Sequence, residues 1–459
     1  MSVLAEKTLH SKDNLRAQSD QPSTLVFGMG LTGASCARYF AARDIQAEFI
    51  DTRESPSGME AILDAMPRAR LRIGAQAEEL PDSVERIVLS PGVSLQVPML
   101  VQARVRGIEV VSDIDLFFAE CRAPVVAVTG SNGKSTVTAM TGHALRAAGW
   151  STAVGGNIGT PALDLLESSH DAYVLELSSF QLERTRPVPA HAAVLLNVSP
   201  DHLDRHRGIG EYARAKARIY AACRHAVVNR DEPGLAQWVP EGTPTTSFGL
   251  GTPGPEEFGI RIASGVEQFA CGEALLGNVR DLQLAGRHNI SNALAALALG
   301  SALGAEPRGM VQGLKRFPGL PHRMQTVAQK NGVTWIDDSK ATNVAAALAS
   351  ISGVGDPLIL IAGGDGKGAE FGPLAAALAG RSSFAILLGK DRARLAEALR
   401  DACQVQLVSN MYEAVAAAST RARAGHTVLL APACSSLDMF YGFEQRGEIF
   451  AAAIEEVTR

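Results

Sequence analysis

Val125-Val126-Ala127-Val128-Thr129-Gly130-Ser131-Asn132-Gly133-Lys134-Ser135-Thr136 sets an apolar, β-branched run against a glycine-rich turn that closes on Lys-Ser-Thr and leads into a helix-like stretch. This is the layout of a phosphate-binding loop. Glycines let backbone N–H groups close around phosphate oxygens, the following helix presents its positive N-terminus, Lys134 adds a charge and Ser135 offers a hydroxyl to Mg²⁺. The reading implies a bound nucleoside triphosphate. The loop is a shortened variant, because the usual G-x-x-x-x-G-K-[ST] spacing would need glycine at Val128, whereas the first glycine is Gly130.

Outward from this loop, strand-like apolar runs alternate with Ala-rich helical stretches along nearly the whole chain, the pattern of parallel sheets covered by helices. An α/β chain in three blocks is expected. The first begins at Thr24-Leu25-Val26-Phe27 and includes Arg86-Ile87-Val88-Leu89. The second holds the Gly130 loop, Ala172-Tyr173-Val174-Leu175 and Ala193-Val194-Leu195-Leu196. The third carries Val333-Thr334-Trp335-Ile336, Leu358-Ile359-Leu360-Ile361, Ala385-Ile386-Leu387-Leu388 and Val428-Leu429-Leu430. Domains 1–112, 113–319 and 320–459 follow, the second boundary lying in Phe317-Pro318-Gly319-Leu320-Pro321, where a helix must stop.

Composition narrows the function classes. At 459 residues and 46% hydrophobic, the chain can bury several cores. Forty-three Lys and Arg stand against 48 Asp and Glu, with no long basic run and few aromatics, so a nucleic-acid platform is not expected. Six scattered cysteines show neither metal-ligand spacing nor a disulfide framework, which suggests reduced thiols and a cytoplasmic protein. The polar residues 1–22 lack the apolar core of a signal peptide and read as a flexible extension. The stretch around Ser291 to Leu303 is too short and weakly apolar to span a bilayer, so no membrane insertion is expected and a buried core helix is favoured.

Block one carries Gly28, Gly30 and Gly33 after a strand, with Asp51 closing an apolar run eighteen residues after the last glycine. This pattern fits a dinucleotide fingerprint, but its physics reports a diphosphate on a helix N-terminus, which any nucleotide-diphosphate substrate could use. In block two, Glu176 ends an apolar strand where a carboxylate can sit beside Mg²⁺, or where a solvated acid can end a strand. Asp201-His202-Leu203-Asp204 crowds further ligands at the same sheet edge. His202 and His206 are four apart, like a zinc pair on one helix face, but no third ligand stands at useful spacing and zinc is not favoured.

Seven motifs occur in one order: Thr129 to Thr136, Gly156-Asn157-Ile158-Gly159, Leu175 to Gln181, Asp201-His202-Leu203-Asp204, His288-Asn289 with Asn292-Ala293, Pro321-His322-Arg323, and Asp338 to Asn343. Together they resemble the ATP-dependent Mur ligases of peptidoglycan synthesis, over about residues 24 to 459. Gly30 to Gly33, Asp51-Thr52-Arg53, Gly363 to Lys367 and Pro432 to Asp438, leading to Phe443-Glu444-Gln445-Arg446-Gly447, resemble the members that join D-glutamate to UDP-N-acetylmuramoyl-L-alanine. The resemblance implies a Rossmann-like N-terminal domain, a central P-loop ATPase-like domain and a Rossmann-like C-terminal domain. It also implies a monomer whose substrates are those two molecules and ATP.

The same resemblance implies roles. Gly130, Ser131, Asn132, Gly133, Lys134, Ser135 and Thr136 would cradle ATP phosphates, with Asn292, Arg323 and Asp338 on its base, phosphate and ribose. Ser135 and Glu176 would hold one Mg²⁺ and His202 a second. Leu31, Thr32, Asp51, Thr52 and Arg53 would surround the uracil and diphosphate, while Asn157 and Ser178 would orient the rest of that substrate. Thr342, Lys367, Ser436, Leu437 and the backbone near Phe443 would bind glutamate, with Lys340 in the same pocket; two carboxylates call for such cations and donors.

Lys216 divides the two kinds of reading. In Glu211 to Tyr220 it looks like one cation on the solvated face of an amphipathic helix. In the family the matching lysine is carbamylated by CO₂, which turns a cation into an anionic oxygen ligand suited to Mg²⁺. Two sites on different blocks must converge, so a hinge near residue 319 is expected. The competing readings are another Mur ligase, a folylpolyglutamate synthase-like ligase, or a nicotinamide-dependent Rossmann oxidoreductase; the last leaves Lys134, Glu176 and His202 unexplained.

Overall fold

The apolar runs form three sheets. The computed structural model describes residues 23–74, 79–201, 205–284 and 286–457, so the 1–22 extension and His202 lie outside the described residues. In the first, five-stranded sheet the strands lie in the order Arg70–Ile73, Ala47–Asp51, Ser23–Phe27, Val84–Leu89, Glu109–Val111, all parallel. The second sheet has nine strands and the third six.

Third from one edge of the second sheet, Val125–Thr129 pairs in parallel with Ala172–Glu176 on one side and Ala192–Leu195 on the other. All five of its residues are buried. Val125 and Ala127 face one core while Val126 and Val128 face another, as the two-residue period of a strand covered on both faces requires. The helices Lys134–Ala147 and Arg287–Ala302 cover the second of these faces, and the latter buries Ala293 to Gly300. That is the core helix the Ala/Leu composition predicted. No helix among the described residues is long and apolar enough to cross a membrane.

The third sheet repeats the device: Leu358, Leu360 and Ala362 enter one core, Ile359 and Ile361 the other.

The sheets are less uniformly parallel than the alternation alone implies. Phe258–Ala263 joins the second sheet in parallel, Val266–Cys271 and Ala274–Asn278 extend it beyond that strand by antiparallel pairing, and Gln325–Lys330 runs antiparallel to Val333–Asp337. The reason is turn chemistry. Ser264 and Gly265 have φ of 51° and 74°, and Asn331 and Gly332 have 54° and 75°, the paired positive angles of the tight turns whose twist suits a hairpin.

The first two sheets share a core, since one cluster joins Val26, Phe40 and Phe49 to Val125, Tyr173 and Leu175. Polar contacts reinforce that junction: Ser35 Oγ donates to Asp164 at 2.9 Å and Arg186 pairs with Glu109 at 2.7 Å. The third sheet keeps its own cores and meets the second through side chains in a cleft.

Candidate active site

Gly133 has φ of 81°, and a Cβ there would stand 2.7 Å from Asn292 Oδ1, so the turn into the helix at Lys134 requires glycine. The loop is pinned from the neighbouring strand exit. Asn197 accepts from the Ser131 amide at 3.0 Å through its carbonyl and from the Asn132 amide at 2.8 Å through Oδ1. Ser131 Oγ donates to the Ser199 carbonyl at 3.1 Å. Lys134 Nζ folds back over the loop, donating to the carbonyls of Gly130 and Ser131, each at 2.8 Å.

Glu176, at the end of its strand, is buried, which removes the solvated-acid reading. Its Oε1 accepts from Asn157 Nδ2 at 2.7 Å, while Oε2 is buried with no hydrogen-bond partner. Burial alone would raise this carboxyl, but the Lys134 charge, Asn157 and Ser135 outweigh it and hold the pKa below the usual carboxylate value. An ionised, buried and orphaned oxygen beside a serine hydroxyl fits a hard divalent cation. Among the described residues no cluster of three or more His, Cys, Asp or Glu could hold a metal ion by itself.

Lys216 is not on a solvated face, and that expectation is corrected: it is 1% exposed. A helix drawn in isolation shows polar residues turned outward, but here the face carrying Tyr212 and Lys216 turns onto the phosphate loop. Lys216 Nζ donates to the Gly130 carbonyl at 2.8 Å and lies 4.5 Å from the centre of the Tyr212 ring. Burial and the nearby Lys134 charge drive its pKa well below the usual lysine value, against the pull of Asp201 and Glu176. The amine is thus displaced toward its neutral form.

The third sheet supplies the opposite wall. Arg323 enters the cleft within the electrostatic reach of Glu176 and Asp338. Asp338 is buried and accepts from Ser350 Oγ. Lys340 Nζ lies 3.8 Å from the centre of the Phe443 ring, and burial with the Arg323 charge pushes its pKa down to about 8. Lys367 Nζ reaches Asp201 Oδ1 at 3.5 Å. Ser178, Asn292, Thr136 and Thr342 line the same cleft of about 370 Å³, within the range of small-molecule sites. Ser436 is buried, Leu437 is exposed, and the Phe443 carbonyl accepts from Ser339 Oγ at 2.8 Å.

In the first sheet Asp51 is committed locally. Its carboxylate accepts from the Met29 amide at 2.8 Å and from Arg53 Nε at 2.9 Å, so it braces the glycine turn, while Leu31, Thr52 and Arg53 are exposed around it.

The site also contains residues the sequence did not single out. Tyr212 stands one helical turn before Lys216, a spacing that could have flagged it. Arg446 is fully buried and donates to Ser339 Oγ, the Ser339 carbonyl and the Cys434 carbonyl, tying the loops of Asp338 and Ser436 together. His322, Met324, Lys367 and Ala433, all non-glycine residues with positive φ, lie in the loops that line or support this wall. Such backbone strain, of order 1–3 kcal/mol each, persists where surrounding structure over-determines it.

Gly447 allows one such constraint. A Cβ there would fall 2.2 Å from His322 Nδ1 and 2.5 Å from Asp337 Oδ2, which themselves pair at 2.7 Å. Gly447→Ala is expected to cost about 1–3 kcal/mol and to displace the neighbouring Arg323. A thermal melt and the KM for ATP check this; a variant unchanged in both would contradict it.

Comparison with known proteins agrees with this geometry. Residues 22–112 match the family model described as the MurD-like N-terminal domain of Mur ligases, 128–300 the Mur ligase middle domain, and 322–434 the glutamate ligase domain of Mur ligases. A UDP-N-acetylmuramoylalanine–D-glutamate ligase of Nitrosococcus oceani is 46% identical over 438 residues, covering 95% of this chain and 97% of the relative. The chain belongs to the Mur ligase family.

The enzyme of the same name from Chromohalobacter salexigens is 48% identical over 437 residues, covering 93% and 96% of the two chains. Among solved structures, the UDP-N-acetylmuramate-alanine ligase MurC of Thermotoga maritima aligns with a TM-score of 0.61 at 17% identity, covering 95% of this chain and 100% of that one. The MurF ligase of the same organism aligns at 0.59 and 18%, covering 90% and 96%. These structures share the Mur ligase fold. The three-sheet α/β architecture is the one the motif order implied.

Proposed function

We propose that this chain joins D-glutamate to the alanine carboxylate of UDP-N-acetylmuramoyl-L-alanine, consuming ATP and releasing ADP and phosphate, in cytoplasmic synthesis of peptidoglycan precursors. One observation carries the reading: Lys134, Glu176 and Lys216 from one sheet and Arg323, Asp338 and Lys340 from another line a single cleft, in a chain 46% identical to ligases of that name.

A carboxylate is a poor electrophile, so its oxygen first takes the γ-phosphoryl group of ATP, ADP leaves, and an acyl phosphate results. The amine of D-glutamate then attacks the acyl carbon, and the tetrahedral intermediate loses a proton and expels phosphate as the amide forms. Lys134 and the loop amides hold the β- and γ-phosphates, and Arg323 meets charge on the transferred group. Asn292 and Asp338 hold the base and ribose. Lys340, Thr342, Lys367, Ser436, Leu437 and the Phe443 backbone receive the two glutamate carboxylates. Leu31, Thr32, Thr52 and Arg53, on the turn braced by Asp51, take the uracil and diphosphate, and Asn157 and Ser178 orient the sugar and alanine. Mg²⁺ held by Ser135 and Glu176, and a second ion held by His202 and a carbamate on Lys216, would neutralise charge between the phosphates and the acceptor.

We place the domain division at 1–112, 113–319 and 320–459, with a hinge near residue 319; the separate sheets support that reading. We propose a monomer, a reading supported by both half-sites lying on one polypeptide.

Phosphate release with UDP-N-acetylmuramoyl-L-alanine and a panel of D-Glu, L-Glu, L-Ala, L-Lys and diaminopimelate tests the assignment. Turnover is expected with D-Glu alone. Preference for any other amino acid, or nicotinamide absorbance changes without ATP consumption, would overturn it.

A further inference from the structure

Asn343 closes the Asp338 to Asn343 motif, and none of the roles above uses it. Its side chain is buried and reaches three elements at once. Oδ1 accepts from the Ala346 amide at 2.9 Å and caps the helix Val344–Ser352. Nδ2 donates to Asn132 Oδ1 in the phosphate loop at 3.0 Å and to Asp201 Oδ2 at 3.1 Å. These contacts fix the amide's orientation, since the reverse setting would aim an oxygen at two oxygen acceptors and the NH₂ at an N–H.

The partners give this contact its meaning. Asn132 is itself held by Asn197 and lies between Ser131 and Gly133 of the loop. Lys367 grips the other oxygen of Asp201, so the third sheet holds that carboxylate at both ends. On its own side, Asn343 follows Thr342 directly and Lys340 by three residues. One short segment therefore carries both the amino-acid pocket and the contact to the phosphate donor's loop. We propose that Asn343 is a positioning residue that registers the amino-acid-binding unit against the phosphate loop, so that the incoming amine meets the activated carboxylate only when Nδ2 has found both Asn132 and Asp201.

Amide formation needs the reacting atoms held near contact distance, where a 1 Å misplacement is costly. Rotation about the hinge would break both Nδ2 contacts and leave the helix cap intact, so cap and register are separable. The inference rests on the ligase reading for its kinetic arm only.

Asn343→Asp keeps a capping oxygen and has no donor, Asn343→Ser keeps a capping oxygen but its short hydroxyl has a single proton and cannot span both acceptors, and Asn343→Ala loses cap and donor. We expect Asp and Ser variants to melt close to the unsubstituted protein, while kcat/KM for D-glutamate falls about 10- to 100-fold and affinity for the UDP-linked substrate stays unchanged. The Asp variant, which sets a second carboxylate against Asp201, should be the worse. A fluorescence distance between labels on the second and third sheets should shorten with a non-hydrolysable ATP analogue and the UDP-linked substrate in the unsubstituted chain, and shorten less in both variants. Impairment confined to Asn343→Ala would reduce the residue to a helix cap and overturn the proposal, as would an unchanged distance response. If the unsubstituted chain does not turn over D-glutamate, the ligase reading fails and the distance arm still decides Asn343.

Discussion

Lys134→Ala should abolish phosphate release, with kcat down at least about 10³-fold, or about 4 kcal/mol of transition-state stabilisation. The amine now sits on the carbonyls of Gly130 and Ser131 and beside the charge of Glu176. It thus stands at the mouth of the loop, where a β,γ-phosphate bridge would draw it away from neutral acceptors onto anionic ones. Phosphoryl transfer between two anions depends almost wholly on positioning and charge neutralisation, so no other group replaces a missing cation at that point. The fold should survive, because the Gly130 carbonyl keeps Lys216 as a donor and the loop keeps its bonds to Asn197 and Ser199. The check is phosphate release beside a thermal melt. A folded variant within tenfold of the unsubstituted rate would remove Lys134 from phosphate handling.

Lys216→Ala should be inactive, and millimolar formate or acetate should restore part of the activity. Both Lys216 and Lys134 stand 2.8 Å from the same carbonyl oxygen. Two such neighbouring cations would repel by about 3 kcal/mol at an effective ε of ~20, and burial adds to the penalty on the charged form. Both effects favour the neutral amine, the species whose lone pair attacks CO₂, forming the N–C bond and losing a proton to leave a carbamate. A carboxylate that enters the space vacated by the side chain can offer the same two oxygens. No rescue in a folded variant, or full activity without added acid, would take Lys216 out of the metal site.

Much of the fold was legible because parallel sheets write themselves as continuous apolar runs. Leu358 to Ile361 needed no neighbour to be read as a strand buried on both faces. The hairpins were less visible, although Asn331-Gly332 is a strong local turn signal, because a two-residue turn does not by itself record which strands pair across it. Within the site, Lys134 and Ser135 were readable since their chemistry is set by adjacent residues in one turn. Lys216 was misread by its helical pattern alone, because a helix does not record which of its faces another loop will cover. The roles of Arg446 and Asn343 were not legible, since their hydrogen bonds cross between segments far apart along the chain.

The sequence alone therefore determined the local chemistry: a shortened phosphate loop, a carboxylate at a strand end, a proline- and glycine-rich break near residue 319, and an order of motifs specific enough to imply the family. These depend on covalent neighbours and on short periods, both of which are written along the chain. Only the tertiary structure decided that Lys216 is buried against Gly130, 86 residues away, and that Asn343 reaches Asn132 across 211. Burial, pKa and charge complementarity arise from what excludes water and what stands opposite, and both are supplied by segments far apart along the chain.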